Sequence, residues 1–260
     1  MFVVDYDFEP TPAVRARLSQ ASVSAAGGYQ TRTIGIDIPD AGHFIVRALL
    51  DRQQYWDPDG HAEQLGISPA LWPLFGMLWP GSMHLATHLA ARPVCPSETM
   101  LEIGCGLALA SLVAHRRGAR VTASDCHPLA QAFLAANLQL NELSPTLEYR
   151  HGQWGLSAPI TEAQAGRPVL TGKFDFIMAS DVLYERDCAP AVATFINHHA
   201  MPDTEVWIVD ANRGYRPAFN RHMAAHGFAL YDDIHLKDRY KTEGATRPFR
   251  GRLSKYRREG

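Results

Sequence analysis

The chain has 260 residues, a formal net charge of −2, 46% apolar residues and 20% charged ones. That apolar share excludes a disordered or fibrous protein, and the near-neutral balance argues against a general nucleic-acid binder. Four cysteines, Cys95, Cys105, Cys126 and Cys188, are scattered without C-x-x-C spacing, which excludes a zinc ribbon or a disulfide framework and fits a reducing compartment.

The start, Met-Phe-Val-Val-Asp-Tyr-Asp, lacks a basic stretch followed by an apolar one, and no apolar run is long enough to span a bilayer. A cytoplasmic protein without membrane contact is expected. Residues 11–25 read as a short helix that breaks at Gly27-Gly28. Residues 29–38 and 43–50 read as two strands about the turn Pro39-Asp40-Ala41-Gly42. Residues 51–70 are polar and loop-like. Residues 71–91 are rich in Trp, Leu and Met, with breaks at Pro73 and Pro80, and Ser82 is placed to cap a helix running to about Ala91.

Strands and helices then alternate. Strands are expected at 99–104, 119–125, 146–151, 174–181 and 204–210, and helices at 107–118, 128–141, 187–200 and 215–226, with a looser stretch at 155–170. Two more strands, near 228–236 and 246–257, finish the chain. The expected fold is α/β: a Rossmann-like, doubly wound sheet of seven strands, mostly parallel with an antiparallel C-terminal strand. Residues 1–70 are expected to form an N-terminal helix and hairpin extension, and residues 71–260 the main domain. The basic residues of the last stretch, among them Lys237, Arg239, Lys241, Arg247, Arg252, Lys255 and Arg258, read as a solvated strand and tail, or else as a docking surface for an acidic partner.

Residues 99–109, Thr-Met-Leu-Glu-Ile-Gly-Cys-Gly-Leu-Ala-Leu, place a glycine turn between a strand and a helix. Such a turn builds a nucleoside site at a strand's C-terminal edge. Gly104 and Gly106 allow close approach of the backbone to a ligand. Glu102 inside the strand is costly unless paired, and suits an ammonium or sulfonium better than phosphates. Cys105 reads as a small packing residue in the turn. Asp125 ends the next strand a little over twenty residues later, where an acid can bind both ribose hydroxyls or cap the following helix. A nicotinamide dinucleotide site would need a third glycine at position 109, where Leu109 stands. Asp181 and Tyr184, at D-x-x-Y spacing after the strand Phe174–Met178, can orient an amine; the alternative is a helix cap and a core tyrosine. His84 and His88 lie four apart, without a third ligand, so no metal is expected.

The set Leu-Glu-Ile-Gly-Cys-Gly-Leu-Ala, Asp125, Gln153-Trp154 and Asp181-Val-Leu-Tyr184 resembles a class I, seven-strand S-adenosylmethionine-dependent methyltransferase. The branch of protein-lysine and nicotinamide N-methyltransferase-like proteins is the most similar, and Met77-Leu-Trp-Pro-Gly-Ser82 resembles its tryptophan-bearing segment. The resemblance covers roughly residues 70–235 and identifies residues 71–260 as the methyltransferase domain. It implies S-adenosylmethionine as cofactor, its methionine part held by Glu102 and the backbone at Gly104 and Gly106, with Cys105 and Ser180 also among the cofactor-binding residues. It implies Asp125 at the ribose, Gln153 and Trp154 at the adenine, and Trp79 closing over the site. Asp181 and Tyr184 would face the methyl acceptor. That family often carries Gly where Ala108 stands, and the related electron-transfer-flavoprotein enzymes tend to read D-P-G-R where this chain has Asp210-Ala-Asn-Arg213.

The leading expectation is an N-methyltransferase acting on a protein lysine. A small amine or heteroaromatic nitrogen is the alternative acceptor, and a non-catalytic cofactor-binding interaction protein the third reading. A monomer is expected, since no long coiled-coil pattern or apolar edge stands out, and a nucleic-acid substrate is not, because the catalytic strand lacks an N-P-P-Y-like turn.

Overall fold

The structure, a computed structural model, describes residues 3–20, 28–156, 160–237 and 248–258. The chain opens with β1 (Val4–Asp5), α1 (Pro12–Gln20), β2 (Thr31–Ile38) and β3 (Gly42–Leu49). A short α2 (His61–Gln64), a 3-10 turn (Trp72–Gly76) and α3 (Pro80–Ala91) follow. Alternation begins with β4 (Thr99–Ile103), α4 (Leu109–Arg116), β5 (Arg120–Asp125), α5 (Ala130–Leu140), β6 (Glu148–His151) and α6 (Glu162–Ala165). It ends with β7 (Phe174–Ser180), α7 (Cys188–His199), β8 (Ala200–Asp210), α8 (Arg216–Ala225), β9 (Phe228–Leu236) and β10 (Gly251–Arg258). The end of the first expected helix, beyond Gln20, and the start of the last expected strand lie outside the described residues.

The expected seven-strand sheet is present, in the order β6-β5-β4-β7-β8-β10-β9. From β6 to β8 all neighbours pair parallel, whereas β10 is antiparallel to both β8 and β9. The last strand therefore inserts inside the sheet rather than closing its edge. Burial explains the order: β10 buries Leu253, Ser254 and Tyr256, while β9 carries Tyr231 and Asp232 at the water-facing rim.

Side-chain alternation along the central strands builds two cores. Phe176 and Met178 of β7 face one core, with α3, α4, α5 and the N-terminal hairpin. Ile177 and Ala179 face the other, with α7 and α8. A sheet covered on both faces needs apolar residues at successive positions, which is why these strands read as continuous hydrophobic runs.

The N-terminal segment forms a three-strand antiparallel sheet, β1-β2-β3, and β3 lies along α5. Two asparagines one helical turn apart on α5 satisfy the open edge of β3. Asn137 Oδ1 accepts the Arg47 N–H at 2.7 Å, and its Nδ2 donates to the Leu107 carbonyl. Asn141 Oδ1 accepts the Ile45 N–H, while its Nδ2 donates to the Ile45 carbonyl. A helix thus completes a strand edge that would otherwise need water or another strand.

Three local expectations are corrected. Ser82 does not cap α3: Pro80 is its first residue, where the missing N–H costs nothing, and the Ser82 hydroxyl donates back to the Trp79 carbonyl at 2.8 Å. Residues 51–70 are not all loop, because the Asp57 carboxylate accepts the N–H groups of Ala62 and Glu63 and so nucleates α2. The solvated reading of the basic C-terminal stretch is corrected only in part: Lys237, Arg250 and Arg257 are exposed, while three others are tied down. Arg252 pairs with Asp233 at 2.7 Å, Lys255 with Asp232 at 2.9 Å, and Arg258 lies over Phe228. Arg239, Lys241 and Arg247 lie outside the described residues.

Replacing fully buried Asn137 by alanine strands the Arg47 N–H and the Leu107 carbonyl. The expected cost is about 2–4 kcal/mol in urea denaturation. A loss below about 0.5 kcal/mol, the range of an ordinary surface change, would show that the hairpin is held by packing alone.

Candidate active site

The parallel strands run outward from β4 to β6 and then jump back to β7, so a crevice opens between the C-terminal ends of β4 and β7. The glycine turn forms its floor. Gly104 and Gly106 both take left-handed backbone, with φ of 61° and 52°. A Cβ on Gly104 would lie 2.8 Å from Val182 Cγ1 and 3.1 Å from the Trp154 ring, and one on Gly106 would lie 2.8 Å from the Phe75 carbonyl oxygen. Only bare backbone fits. Ala108, just before α4, has φ of 59°, which explains why glycine suits that position.

Glu102 is 1% exposed and does not line the crevice. Its carboxylate accepts from the backbone N–H of Ser111 at 2.9 Å and from the Ser111 hydroxyl. Ser111 is the third residue of α4, so its N–H is one of the helix's unpaired donors. Through Oε2 the side chain anchors α4 and the turn that precedes it. Burial raises its carboxyl to about 7, against the hydrogen bonds from Ser111.

Asp125 is 7% exposed and lines the crevice. Its Oδ2 accepts the Gly106 N–H at 2.8 Å and its Oδ1 the His127 N–H at 2.9 Å. It ties the glycine turn to the end of β5, and burial raises its pKa. Gln153 and Trp154 also line the crevice. Gln153 Nε2 donates to the Leu65 carbonyl at 2.7 Å, and its Oε1 is buried with no partner among the described residues. Cys105 lies in the wall, its thiol kept protonated by burial and by the nearby Asp125 and Glu102 carboxylates.

Trp79, Ser180, Asp181 and Tyr184 line the same crevice. Asp181 follows β7 in left-handed backbone, φ 56°, its N–H bonded to the Val209 carbonyl at 2.9 Å. Its Oδ2 accepts the Gly81 N–H at 3.1 Å, and Arg213 Nη1 stands 3.3 Å from Oδ1. Asp181 therefore does not cap the helix after it; it closes the N-terminus of α3, from across the sheet. Burial raises its carboxyl to about 6, with Arg213 opposing and Asp210 adding to the rise. Tyr184 is 36% exposed and so is not a core tyrosine. Trp79 is pinned by its indole N–H, which donates to the Leu74 carbonyl at 2.9 Å.

The crevice encloses about 240 Å³. A second cavity of about 590 Å³ shares Met77, Trp79, Asp181 and Arg213 with it and is otherwise walled by Tyr6, Arg32 and the loop Leu50–Gln53. Three lining residues are not singled out by the sequence: Leu65, Ile67 and Phe75 roof the first cavity. The apolar Leu65-x-Ile67 pair within a polar stretch was their one signal. His127, which follows Asp125 and reads in sequence either as an adenosine contact or as a helix start, lines it too and stacks on Phe75 with ring centroids 3.6 Å apart. Among the described residues no group of three or more His, Cys, Asp or Glu could hold a metal ion; His84 instead stacks on Phe249 at 5.0 Å. No described helix is long and apolar enough to cross a membrane.

A carboxyl whose proton affinity rises on folding makes stability fall as pH climbs from the unfolded value of 4.5 through the folded value of about 7. Glu102→Gln keeps an acceptor for Ser111 and removes the titration. The variant should gain stability over the natural protein by on the order of 2 kcal/mol between pH 5 and pH 8. Parallel pH profiles of the two proteins in urea would contradict that assignment. A methyl group on Gly81 would lie 2.1 Å from Asp181 Oδ2. Gly81→Ala should therefore cost about 1–3 kcal/mol in the same assay, and unchanged stability would show that the contact relaxes freely.

A family profile described as lysine methyltransferase matches residues 76–224. Mouse electron transfer flavoprotein beta subunit lysine methyltransferase is 28% identical over 184 residues, covering 70% of this chain and 64% of that protein. The chain thus spans just under two thirds of that relative's length. Human histone-arginine methyltransferase METTL23 is 30% identical over 139 residues, covering 50% of this chain and 67% of that protein. Among solved structures, the magnesium protoporphyrin IX methyltransferase of Synechocystis PCC 6803 with bound SAM superposes with a TM-score of 0.50 at 17% identity, over 68% of this chain and 78% of that one, a likeness of fold. The glycine turn, Asp125 and the Asp181-x-x-Tyr184 edge all lie within or beside one crevice inside the matched segment, and the chain belongs to the lysine methyltransferase family.

Proposed function

We propose that the protein transfers a methyl group from S-adenosylmethionine to a side-chain amine of another protein, a lysine. The observation that carries this reading is that Asp181, Tyr184 and Trp79 share one crevice with the glycine turn and Asp125. The residues fit a nucleoside with an amino-acid tail. Bare backbone at Gly104 and Gly106 allows close approach, and the buried Gln153 Oε1 lacks a donor among the described residues. Trp154, half-buried in the crevice wall, offers an indole for stacking. Asp125 keeps lone pairs for ribose hydroxyls beyond the two backbone bonds it accepts. Glu102 acts as a positioning residue, through α4.

When bound, S-adenosylmethionine supplies an electrophilic methyl on its sulfonium. The chain's own work is to orient the acceptor nitrogen in line with that methyl and to exclude water. The amine must be neutral, and deprotonating an ordinary lysine at pH 7 costs about 4–5 kcal/mol from its reference pKa near 10.4. Asp181 alone would favour the ammonium, since an adjacent carboxylate stabilises a cation. Arg213, already beside Oδ1, offsets that charge. Asp181 is therefore assigned to orienting the amine, together with the Tyr184 hydroxyl. The wide second cavity, walled by Arg32, Asp51 and Arg52, suits a protein segment better than a small heteroaromatic amine.

Calorimetric titration with S-adenosylhomocysteine, beside a nicotinamide dinucleotide, is expected to show micromolar binding of the former alone. Asp181→Asn should retain that binding and lose at least about 100-fold in transfer of labelled methyl to protein in cell extract. An unaffected rate would remove Asp181 from the reaction. Amino-acid analysis of the labelled product separates lysine from arginine, the acceptor named for METTL23.

A further inference from the structure

The second cavity has an unusual charge balance at its mouth. Three arginines, Arg32, Arg52 and Arg213, face two aspartates, Asp51 and Asp181. Both carboxylates are already engaged. Asp181 accepts from Gly81 and meets Arg213, and its side chain is 8% exposed. Asp51 Oδ1 turns into its own loop and accepts the Gln53 N–H at 2.8 Å. Arg213 is answered by Asp181, and Arg32 lies over the Tyr6 ring. Arg52 differs: it is exposed, and among the described residues no carboxylate pairs with it. Its guanidinium carbon stands 4.8 Å from the centroid of the Trp79 ring, the residue that walls both cavities.

We propose that this groove receives a segment of a partner protein carrying an acidic side chain close to the methyl-acceptor lysine, and that Arg52 reads that carboxylate. The proposal rests on the methyl-transfer reading of the adjoining crevice. Attraction to the indole face positions the cation, while its planar fork of N–H donors stays available for two parallel bonds to a carboxylate. Trp79, against which Arg52 lies, walls both cavities, so the acidic residue is placed within a few positions of the lysine. Leu50, 40% exposed on the same wall, offers apolar contact to the segment's backbone and side chains. A basic segment meets three guanidinium groups there and is disfavoured.

The test uses the full chain with S-adenosylhomocysteine present and short labelled peptides with one central lysine, flanked by glutamate, glutamine or arginine. Fluorescence anisotropy at low salt should show the glutamate peptide binding about tenfold more tightly than the glutamine peptide, and the arginine peptide weakest. Added salt should narrow the difference. Arg52→Gln should reduce the preference to less than about twofold, and Arg52→Glu should reverse it in favour of the arginine peptide. Equal affinities in the natural protein, or a preference that survives Arg52→Gln, overturn the proposal. Binding of S-adenosylhomocysteine with no binding of any peptide removes the proposal and leaves the methyltransferase reading standing. A glutamate preference lost in Arg52→Gln, in a protein that does not bind S-adenosylhomocysteine, keeps the groove and removes the methyltransferase reading.

Discussion

Buried carboxylates that accept backbone N–H groups hold the C-terminal edge of the sheet together. Glu102, Asp125, Asp181 and Asp210 sit at or next to the ends of β4, β5, β7 and β8, and each takes at least one main-chain donor from a loop or helix start. Burying a carboxylate is costly, and charge-assisted bonds offset that cost only where the donors are fixed. All four carboxyls accordingly have raised pKa values, with burial as the main cause. The row does structural and chemical work at once. It seats the starts of α3 and α4, fixes the glycine turn, and places two of its members, Asp125 and Asp181, in the crevice wall.

Backbone strain gathers on the same edge. Ala108, Asp181 and Asn212 all take left-handed φ near 60°, a conformation costing on the order of 1–3 kcal/mol each. The surrounding bonds over-determine them: Asp181 is fixed at its N–H by Val209 and at its side chain by Gly81, and Asn212 donates to Asp210. The chain thus turns sharply where the strands stop, presenting side chains to the crevice rather than to the next helix.

The N-terminal hairpin is part of the same construction. Asn137 and Asn141 fix β3 to α5, and the Leu50–Gln53 loop that follows β3 forms one wall of the second cavity. Residues 65–75 then roof the first cavity, with the Leu65 carbonyl held by Gln153. Residues on both sides of position 70, Leu65 and Ile67 before it and Phe75 after it, thus share the site's roof.

Local patterns in the sequence were enough for the sheet, its strand–helix alternation and the glycine turn, because apolar runs and glycine positions are set by burial and backbone sterics, which act residue by residue. Asp125, Asp181 and Tyr184 stood out for the same reason, each at a fixed offset from a strand end, whereas Gln153 and Trp154 came only from the family resemblance. Tertiary structure decided what depends on distant partners. That Glu102 also holds Ser111, nine residues on, shows only once α4 is in place. Arg213 stands out in sequence only as part of Asp210-Ala-Asn-Arg213 and Arg52 not at all, until folding brings one to Asp181 and the other to Trp79. The last strand's place inside the sheet also rested on relative burial of β9 and β10, a comparison between strands that no single segment contains.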